Sequence, residues 1–492
     1  MKKITFSVFL FVFTSTLFSQ TDQKQDAKEV PEFVKMQQEF NDWAKGKDLS
    51  KEKGWKYYKR WEEQMAKRAN ADGSLPDEYE YFKAAMDVAA QKQKNNYTRS
   101  ASWIPVGPFA VPSAPGGSGL DSYGISRINT ISFHPTDSST YWVGVAQGGV
   151  WKTTNGGASY MPLTDNLPIL RTSDICVDPL RPDTMYISLC DFEYIGFALN
   201  TNGSKRMTHY GMGVYKTTDG GQTWNPTGLA FNQKAYDGSL IRRVFINSTN
   251  ANSVLAAGTS GIWKSADGGT TWSKTLDSLI WDIERDPVNK NTLYASGGYV
   301  SKTKKGSACI LKSTDFGTTW TLLNTGIPRT TVQRIELAIS PSDPNYVYAV
   351  CCNISGGLYG IYRTTNAGIN WSQRCTTPNI LGSGGNASGG QGTYDLTIIV
   401  NATDRNTIYT GGLIIWGSSD GGTTMTQITD YGTIHPDQHF FAYNPLNKNY
   451  YMCNDGGIYK ANPINIALNT TKWKRLSDGL QTPSYYKVNT SK

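Results

Sequence analysis

The segment His435-Pro436-Asp437-Gln438-His439 is the densest chemistry in the chain, holding two of its four histidines with a carboxylate between them. On an extended strand side chains alternate, so His435, Asp437 and His439 would share one face. Two imidazoles and a carboxylate could hold a divalent metal ion there, or form a general acid/base cluster. In the competing reading Pro436 breaks the strand, and His435 and Asp437 cap a turn. Asp455, in Asn454-Asp455-Gly456-Gly457, would add a carboxylate from the next strand, although Asp-Gly-Gly is also an ordinary turn. No cofactor beyond a divalent metal is suggested.

Other polar residues fall early in predicted inner strands. Asp174, Asp282, Asp395 and Asp437 are the candidates for a catalytic acid pair. A glycosidase needs its carboxyl groups about 5–5.5 Å apart for retention or about 6.5–9.5 Å for inversion. Arg127, Arg334 and Tyr394 are candidate ligand-binding residues at the same level, with ion pairing across a funnel as the plainer alternative. Two insertions read as recognition loops or as mobile covers. Asp191 to Gly213 carries Phe192, Tyr194, Phe197 and Tyr210, of which Tyr194 and Phe197 are ligand-binding candidates, and Thr376 to Thr393 is rich in Gly, Ser and Asn.

These residues need a scaffold, and the scaffold is repetitive. One hairpin recurs as apolar/aromatic-Lys-Ser/Thr-x-Asp/Asn-x-Gly-x-x-Trp: VWKTTNGGASY (150–160), VYKTTDGGQTW (214–224), IWKSADGGTTW (262–272), ILKSTDFGTTW (310–320), IYRTTNAGINW (361–371) and IWGSSDGGTTM (415–425). A seventh copy, IYKANP from Ile458, keeps the strand but loses the acid, and Trp473 resumes the pattern. Asn155, Asp219, Asp267, Asp315, Asn366 and Asp420 are spaced by 64, 48, 48, 51 and 54 residues, as four-stranded propeller blades are. The acid accepts backbone N–H groups a couple of residues on, the Gly supplies φ > 0, and the Trp returns over the hairpin. These acids therefore read as structural.

A second periodic motif supplies the inner strands: FHPTDSSTYWVG (133–144), VDPLRPDTMYIS (177–188), RDPVNKNTLYAS (285–296), ISPSDPNYVYAV (339–350), VNATDRNTIYTG (400–411) and YNPLNKNYYMCN (443–454). The fold class predicted is all-β, a propeller of seven or more four-stranded blades spanning residues 101–492, with seven units between Arg127 and about Leu476. Trp103-Ile104-Pro105-Val106-Gly107 resembles an outer strand and is expected to complete the last blade. SYYKV (484–488) resembles an inner strand of a further blade, so the natural chain is expected to continue beyond Lys492.

Residues 1–20 have Lys2 and Lys3, an apolar run from Ile4 to Phe18, and a small or polar end, the layout of a cleaved export signal. No later apolar run is long enough for a membrane-spanning helix. Residues 21–100 lack the blade pattern. Phe33, Met36, Phe40 and Trp43, then Trp55, Tyr58, Glu62 and Met65, recur at helical spacing, with Gly46 and Gly54 as breakers. The net charge of +8 owes much to lysines and arginines between Lys45 and Arg60, read as a solvated helical face. No nucleic-acid-binding signature accompanies it. Seven scattered cysteines show no metal-type spacing, and Cys176 with Cys190 is the pair to inspect for a disulfide.

Gly54-Trp55-Lys56-Tyr57-Tyr58-Lys59-Arg60-Trp61-Glu62, the opening Trp-Ile-Pro-Val-Gly-Pro and Ser126-Arg127-Ile128 together resemble secreted Bacteroidetes proteins in which a basic, Trp-rich segment precedes an Asp-box (BNR/sortilin-like) propeller. Through the hairpins alone the chain is similar to the sortilin propeller, to xyloglucanase-type endoglucanases and to sialidases, a likeness of fold rather than function. Members of the Bacteroidetes group often carry a C-terminal type IX secretion signal; none is evident in this sequence. Arg127 only partly matches the first Arg motif of a sialidase. The resemblance implies a secreted or cell-surface scaffold that recognises extracellular polysaccharide or protein, with no nucleic acid and no membrane span. The alternative is a glycoside hydrolase using two channel-side carboxylates.

Overall fold

The computed structural model describes residues 30–52, 54–75, 80, 83–84, 87–88, 90–91, 124–193, 195, 211–229, 240–298 and 308–482. The export-signal segment, Trp103 to Gly107, SYYKV, Tyr194 and Phe197 lie outside the described residues. The chain divides into two units, Met1–Lys94 and Asn95–Lys492.

In the first unit, helix α1 (Glu32–Ala44) and helix α2 (Trp55–Ala66) form where the spacing of aromatic residues predicts. Gly54 precedes α2 at φ 94°, a backbone conformation that disfavours a β-carbon. The aromatic stripes face one another. Phe40 stacks on Tyr58 at 3.8 Å with ring planes 8° apart, and Phe33 packs against Trp61.

The second unit is a seven-bladed β-propeller of four-stranded antiparallel sheets, each ordered from the innermost strand outward in chain order. The innermost strands of blades 1 to 7 are Ile128–Phe133, Asp174–Val177, Ile241–Asn247, Ile280–Arg285, Val332–Ile339, Thr397–Val400 and Gln438–Asn444. Each packs against the next, and that of blade 7 packs against that of blade 1, so the ring closes. Blade 7 takes its fourth strand from Lys474–Arg475, in its own stretch of sequence. Four strands of that sheet lie among the described residues, and Trp103 to Gly107, expected to complete it, lies outside them. The predicted inner-strand motifs fall on the turn between the first and second strands of their blades.

The recurrent hairpins join the third and fourth strands, and their chemistry is uniform. In blade 2 the Thr217 hydroxyl donates to Asp219 (2.7 Å) and accepts the Gly221 N–H (3.0 Å), while Asp219 accepts the Thr223 N–H (3.0 Å). Ser265, Asp267, Gly269 and Thr271 repeat this in blade 3, and Thr364, Asn366, Gly368 and Asn370 repeat it in blade 5. The acid thus reaches four residues ahead rather than two, and the hydroxyl two residues before it closes the turn. The second-strand tyrosines tie neighbouring blades. Tyr186 donates to the Gly268 carbonyl of the next blade's hairpin (2.8 Å), and Tyr294 to that of Ala367 (3.0 Å).

Apolar side chains fill the spaces between blades. Trp281, Ile128, Tyr348 and Tyr451 are fully buried, and a large apolar side chain contributes about 1.5–3 kcal/mol when buried. All seven cysteines are free thiols. Cys190 is engaged by the backbone of Ile241 (3.2 Å) and by the Ser173 hydroxyl (3.3 Å), so the suggested bridge to Cys176 is not made.

Candidate functional site

The innermost strands begin at one mouth of the central channel, and the polar residues singled out in the sequence take different places and roles along it. Asp174 and Asp282 are interblade staples. Asp174, on blade 2, accepts the backbone N–H of Val244 on blade 3 (2.7 Å), and Asp282, on blade 4, accepts that of Leu337 on blade 5 (2.9 Å). The Thr397 hydroxyl accepts the N–H of Phe441 in the same way between blades 6 and 7 (3.1 Å). Both aspartates are buried, and the structure uses them to join strands. Burial pushes Asp282 up to about 6, with the nearby Glu284 charge adding to the effect.

Arg334 is fully buried in an ion network that spans the axis. It binds Glu336 (3.0 Å) and Glu193 (3.2 Å), Arg242 binds Glu336 (2.7 Å) and Glu193, and Arg334 also donates to the carbonyls of Tyr394 (3.3 Å) and Leu396 (3.1 Å). Two guanidinium groups and two carboxylates pair with each other where few waters can, with Arg242 Nε left outside the pairing. Burial drives Glu336 up to about 7. Glu193 falls to about 2, because Arg242 and Arg334 outweigh the same desolvation. Arg334 is therefore part of a plug between blades, in place of the exposed ligand contact expected of it.

Above this plug, Arg127 pairs with Asp191 and donates to the Tyr394 hydroxyl (2.8 Å). Tyr394 donates in turn to the Asp455 carboxylate (3.0 and 2.9 Å), which also accepts His439 Nε2–H (2.7 Å). The run crosses blades 1, 6 and 7 and reaches solvent at Asp455, whose side chain is a quarter exposed. Burial alone would raise Asp455, but His439, Arg127 and Tyr394 hold it below the ordinary carboxylate range.

Asp395 lies beneath this surface, fully buried, and neither of its carboxyl oxygens meets an N–H or O–H donor. The charge of the Asp437 carboxyl acts on it. Desolvation and the facing Asp437 charge raise Asp395 well above the usual range, and desolvation with Asp455 raises Asp437.

His435, Asp437 and His439 do not form the single-faced metal triad that alternation predicts. Asp437 has φ 62° and the strand starts only at Gln438, so the extended geometry is broken. His435 is turned to the Pro436 carbonyl (3.0 Å) and His439 to Asp455. Among the described residues no group of three or more His, Cys, Asp or Glu side chains is placed to hold a metal ion. The turn reading of Pro436 describes this segment: Gln438 Nε2 and Asn454 Nδ2 both donate to the His435 carbonyl (2.8 and 2.9 Å).

The described parts of the two insertions are packed. Phe192 is buried edge-on against Trp281, with the Arg242 guanidinium over its ring. The Gly-rich stretch 376–393 is packed. Ile380 and Leu381 are buried, and Asn379 binds the carbonyls of Ala387 (2.7 Å) and Gly389 (3.0 Å) and the N–H of Leu358 (2.8 Å).

Sequence reasoning missed Asp191, Glu193, Arg242 and Glu336. A signal was present: Asp191/Glu193 and Arg334/Glu336 are charged pairs at period two beside apolar strand residues, which a purely structural strand would not carry.

No family model and no curated protein matches the chain. Among solved structures, the chain is similar to the GH74 xyloglucanase from Xanthomonas campestris, at 14% identity over 73% of this chain and 55% of that one, with TM-score 0.50. It is likewise similar to an ancestral GH74 enzyme, at 18% identity over 73% and 47%, with TM-score 0.51. YCF48 bound to D1 peptide matches at 18% identity over 73% and 98%, with TM-score 0.46. The chain spans about half the length of the GH74 structures it matches. At these identities the likeness is one of fold, a β-propeller. Among the described residues no helix is long and apolar enough to cross a membrane.

Proposed function

We propose that this chain is a secreted recognition propeller that binds extracellular polysaccharide or protein at the mouth formed by Arg127, Tyr394, Asp437 and Asp455. The observation supporting this reading is the hydrogen-bonded run from Arg127 through Tyr394 to Asp455 and His439, which fixes charged and polar groups from three blades at one opening. Groups held in place before a ligand arrives lose little freedom on binding. The Asp-box hairpins serve the scaffold, and the resemblance to secreted Bacteroidetes propellers supports export. Tyr194 and Phe197 remain the loop residues proposed to extend this surface. The test is a glycan and peptide array probed with the wild type and with Tyr394→Phe, each checked for folding by its melting temperature. Capture of a ligand by the wild type, weakened about tenfold in the variant, supports the mouth as the site. Equal capture by both removes it.

A glycoside hydrolase is the second reading, favoured by one observation: neighbouring carboxyls at this mouth are pushed in opposite directions, Asp437 up and Asp455 down. Such a split assigns an acid and a base. Asp437 would be the acid and Asp455 the base. Hydrolysis of a polysaccharide panel that disappears in Asp437→Asn supports this reading, and no hydrolysis by folded wild type rejects it.

A further inference from the structure

The channel has a second opening, where the innermost strands end. A cavity of about 360 Å³ lies there, walled by the strand ends of blades 1, 2, 3, 4 and 7, a volume within the range of small-molecule sites. Its walls include three phenyl rings, Phe133, Phe245 and Phe440, and two guanidinium groups, Arg243 and Arg285.

The hydrogen-bonding capacity of these walls is unbalanced. Arg243 pairs with Glu284 (3.0 Å) and lies over the rings of Phe440 (4.8 Å) and Phe245 (5.7 Å), but its buried Nε has no acceptor. Asn444 is fully buried on the wall; its Oδ1 accepts the Leu446 N–H (2.9 Å), and its Nδ2 has no acceptor. Arg285 donates to the Ile246 carbonyl (2.8 Å), and among the described residues no carboxylate lies within ion-pair distance of it. Asp174, the acid on the wall, is occupied by the Val244 N–H and the Thr130 hydroxyl. Buried donors without acceptors are costly and are rare in native structures. Here two such donors, Arg243 Nε and Asn444 Nδ2, belong to residues that line one cavity with three phenyl rings.

We propose that this cavity is a binding site for a carboxylated sugar, a hexuronic acid unit, distinct from the mouth at Tyr394. The carboxylate would take the Arg285 guanidinium, which lacks an anion, and the Arg243 Nε–H. A ring hydroxyl would accept from Asn444 Nδ2, and the C–H faces of the pyranose would lie against Phe133 and Phe440. Guanidinium forks match carboxylates in charge and geometry, and phenyl faces suit sugar rings. The cavity is too small for a folded partner's surface, which buries about 800 Å² per side in a stable interface.

The experiment is calorimetric titration of the full chain with glucuronate, and with glucose as the neutral control. The expected result is that glucuronate binds about tenfold or more tightly than glucose, that Arg285→Gln abolishes this preference, and that Tyr394→Phe at the opposite mouth leaves it intact. If Arg285→Gln does not fold, Asn444→Ala and Arg285→Lys are read in its place, each weakening glucuronate. No binding of glucuronate, equal binding of glucose, or binding untouched by the Arg285 and Asn444 variants overturns the proposal. Loss of glucuronate in Tyr394→Phe alone would move the site to the other mouth and overturn it too.

Discussion

Tyr394 on blade 6 and Asp455 on blade 7 are joined by one hydroxyl proton shared between both carboxylate oxygens, at 3.0 and 2.9 Å. The same hydroxyl accepts from Arg127 of blade 1. A single phenol therefore connects three blades, and its place in the hydrogen-bond order is fixed: it accepts from the cation and donates to the anion.

Replacing Tyr394 by Phe removes both bonds and leaves Arg127 and Asp455 short of a partner in a largely buried setting. The expected loss is about 1–3 kcal/mol. Urea unfolding midpoints of the two proteins measure it, and an unchanged midpoint would show that water substitutes for the hydroxyl.

The plug at the axis predicts a non-additive pair. Arg334→Met strands Glu336 beside a single remaining cation, and breaking a buried ion pair on one side costs about 3–5 kcal/mol. Adding Glu336→Leu removes the stranded charge while Arg242 stays paired with Glu193. The double variant should be more stable than Arg334→Met alone. Stability that simply adds would mean that the two residues act independently.

Asp282 predicts a pH dependence with a definite sign. Its carboxyl is raised on folding to about 6, against about 3.9 in an unfolded chain. A group raised on folding stabilises while protonated, so its contribution is full below about pH 4 and is lost as pH rises through about 6. Asp282→Asn keeps an acceptor for the Leu337 N–H and cannot titrate. Its stability should decline less between about pH 4 and 7 than that of the wild type, read from urea midpoints across the range. Parallel curves would place the titration elsewhere.

The hairpins predict the opposite trend, on a smaller scale. The Thr223 hydroxyl and N–H hold Asp219 at about 2, so its contribution is present above about pH 4 and lost as pH falls toward about 2. Asp219 is only partly buried, and solvent screening keeps this contribution to a few tenths of a kcal/mol. Asp219→Asn recreates the hairpins that Asn155 and Asn366 already form. It should change stability by less than about 0.5 kcal/mol, while Asp219→Ala loses about 1 kcal/mol. Thermal melts of the two variants separate these values.

The all-β propeller and its seven blades were legible in the sequence because each blade carries a local code. Ser/Thr, Asp/Asn and Gly within five residues make a turn by themselves, so no distant contact had to be guessed. The channel residues follow a different logic. Whether Asp174 faces a substrate or the Val244 N–H depends on how one blade sits against the next, and spacing along the chain does not carry that information. Of the two readings of His435 to His439, the shared strand face fails for a local reason. Alternation assumes an extended backbone, and Asp437 at φ 62° is not extended. Arg127 and Tyr394 stand at one mouth because each lies within three residues of the start of an innermost strand. Their partners Asp191 and Asp455 lie across the ring, at distances in sequence that no motif spans.

Among the described residues every blade draws its four strands from one continuous stretch of chain, and no described strand is exchanged across the seam between blades 7 and 1. That seam is held by side chains such as Phe133 against Tyr451 at 4.9 Å, the Tyr160 hydroxyl on the Leu476 carbonyl (2.7 Å), and one backbone bond from Ile125 to Gly456 (3.0 Å). A circle of seven sheets has seven junctions where a row has six, and among the described residues no continuous segment of chain links the two blades at this last junction. The ring is in that respect a clasp: its closure can be undone without breaking any sheet, and the polar run from Arg127 to Asp455, which lies across the clasp, is drawn together only while it is fastened.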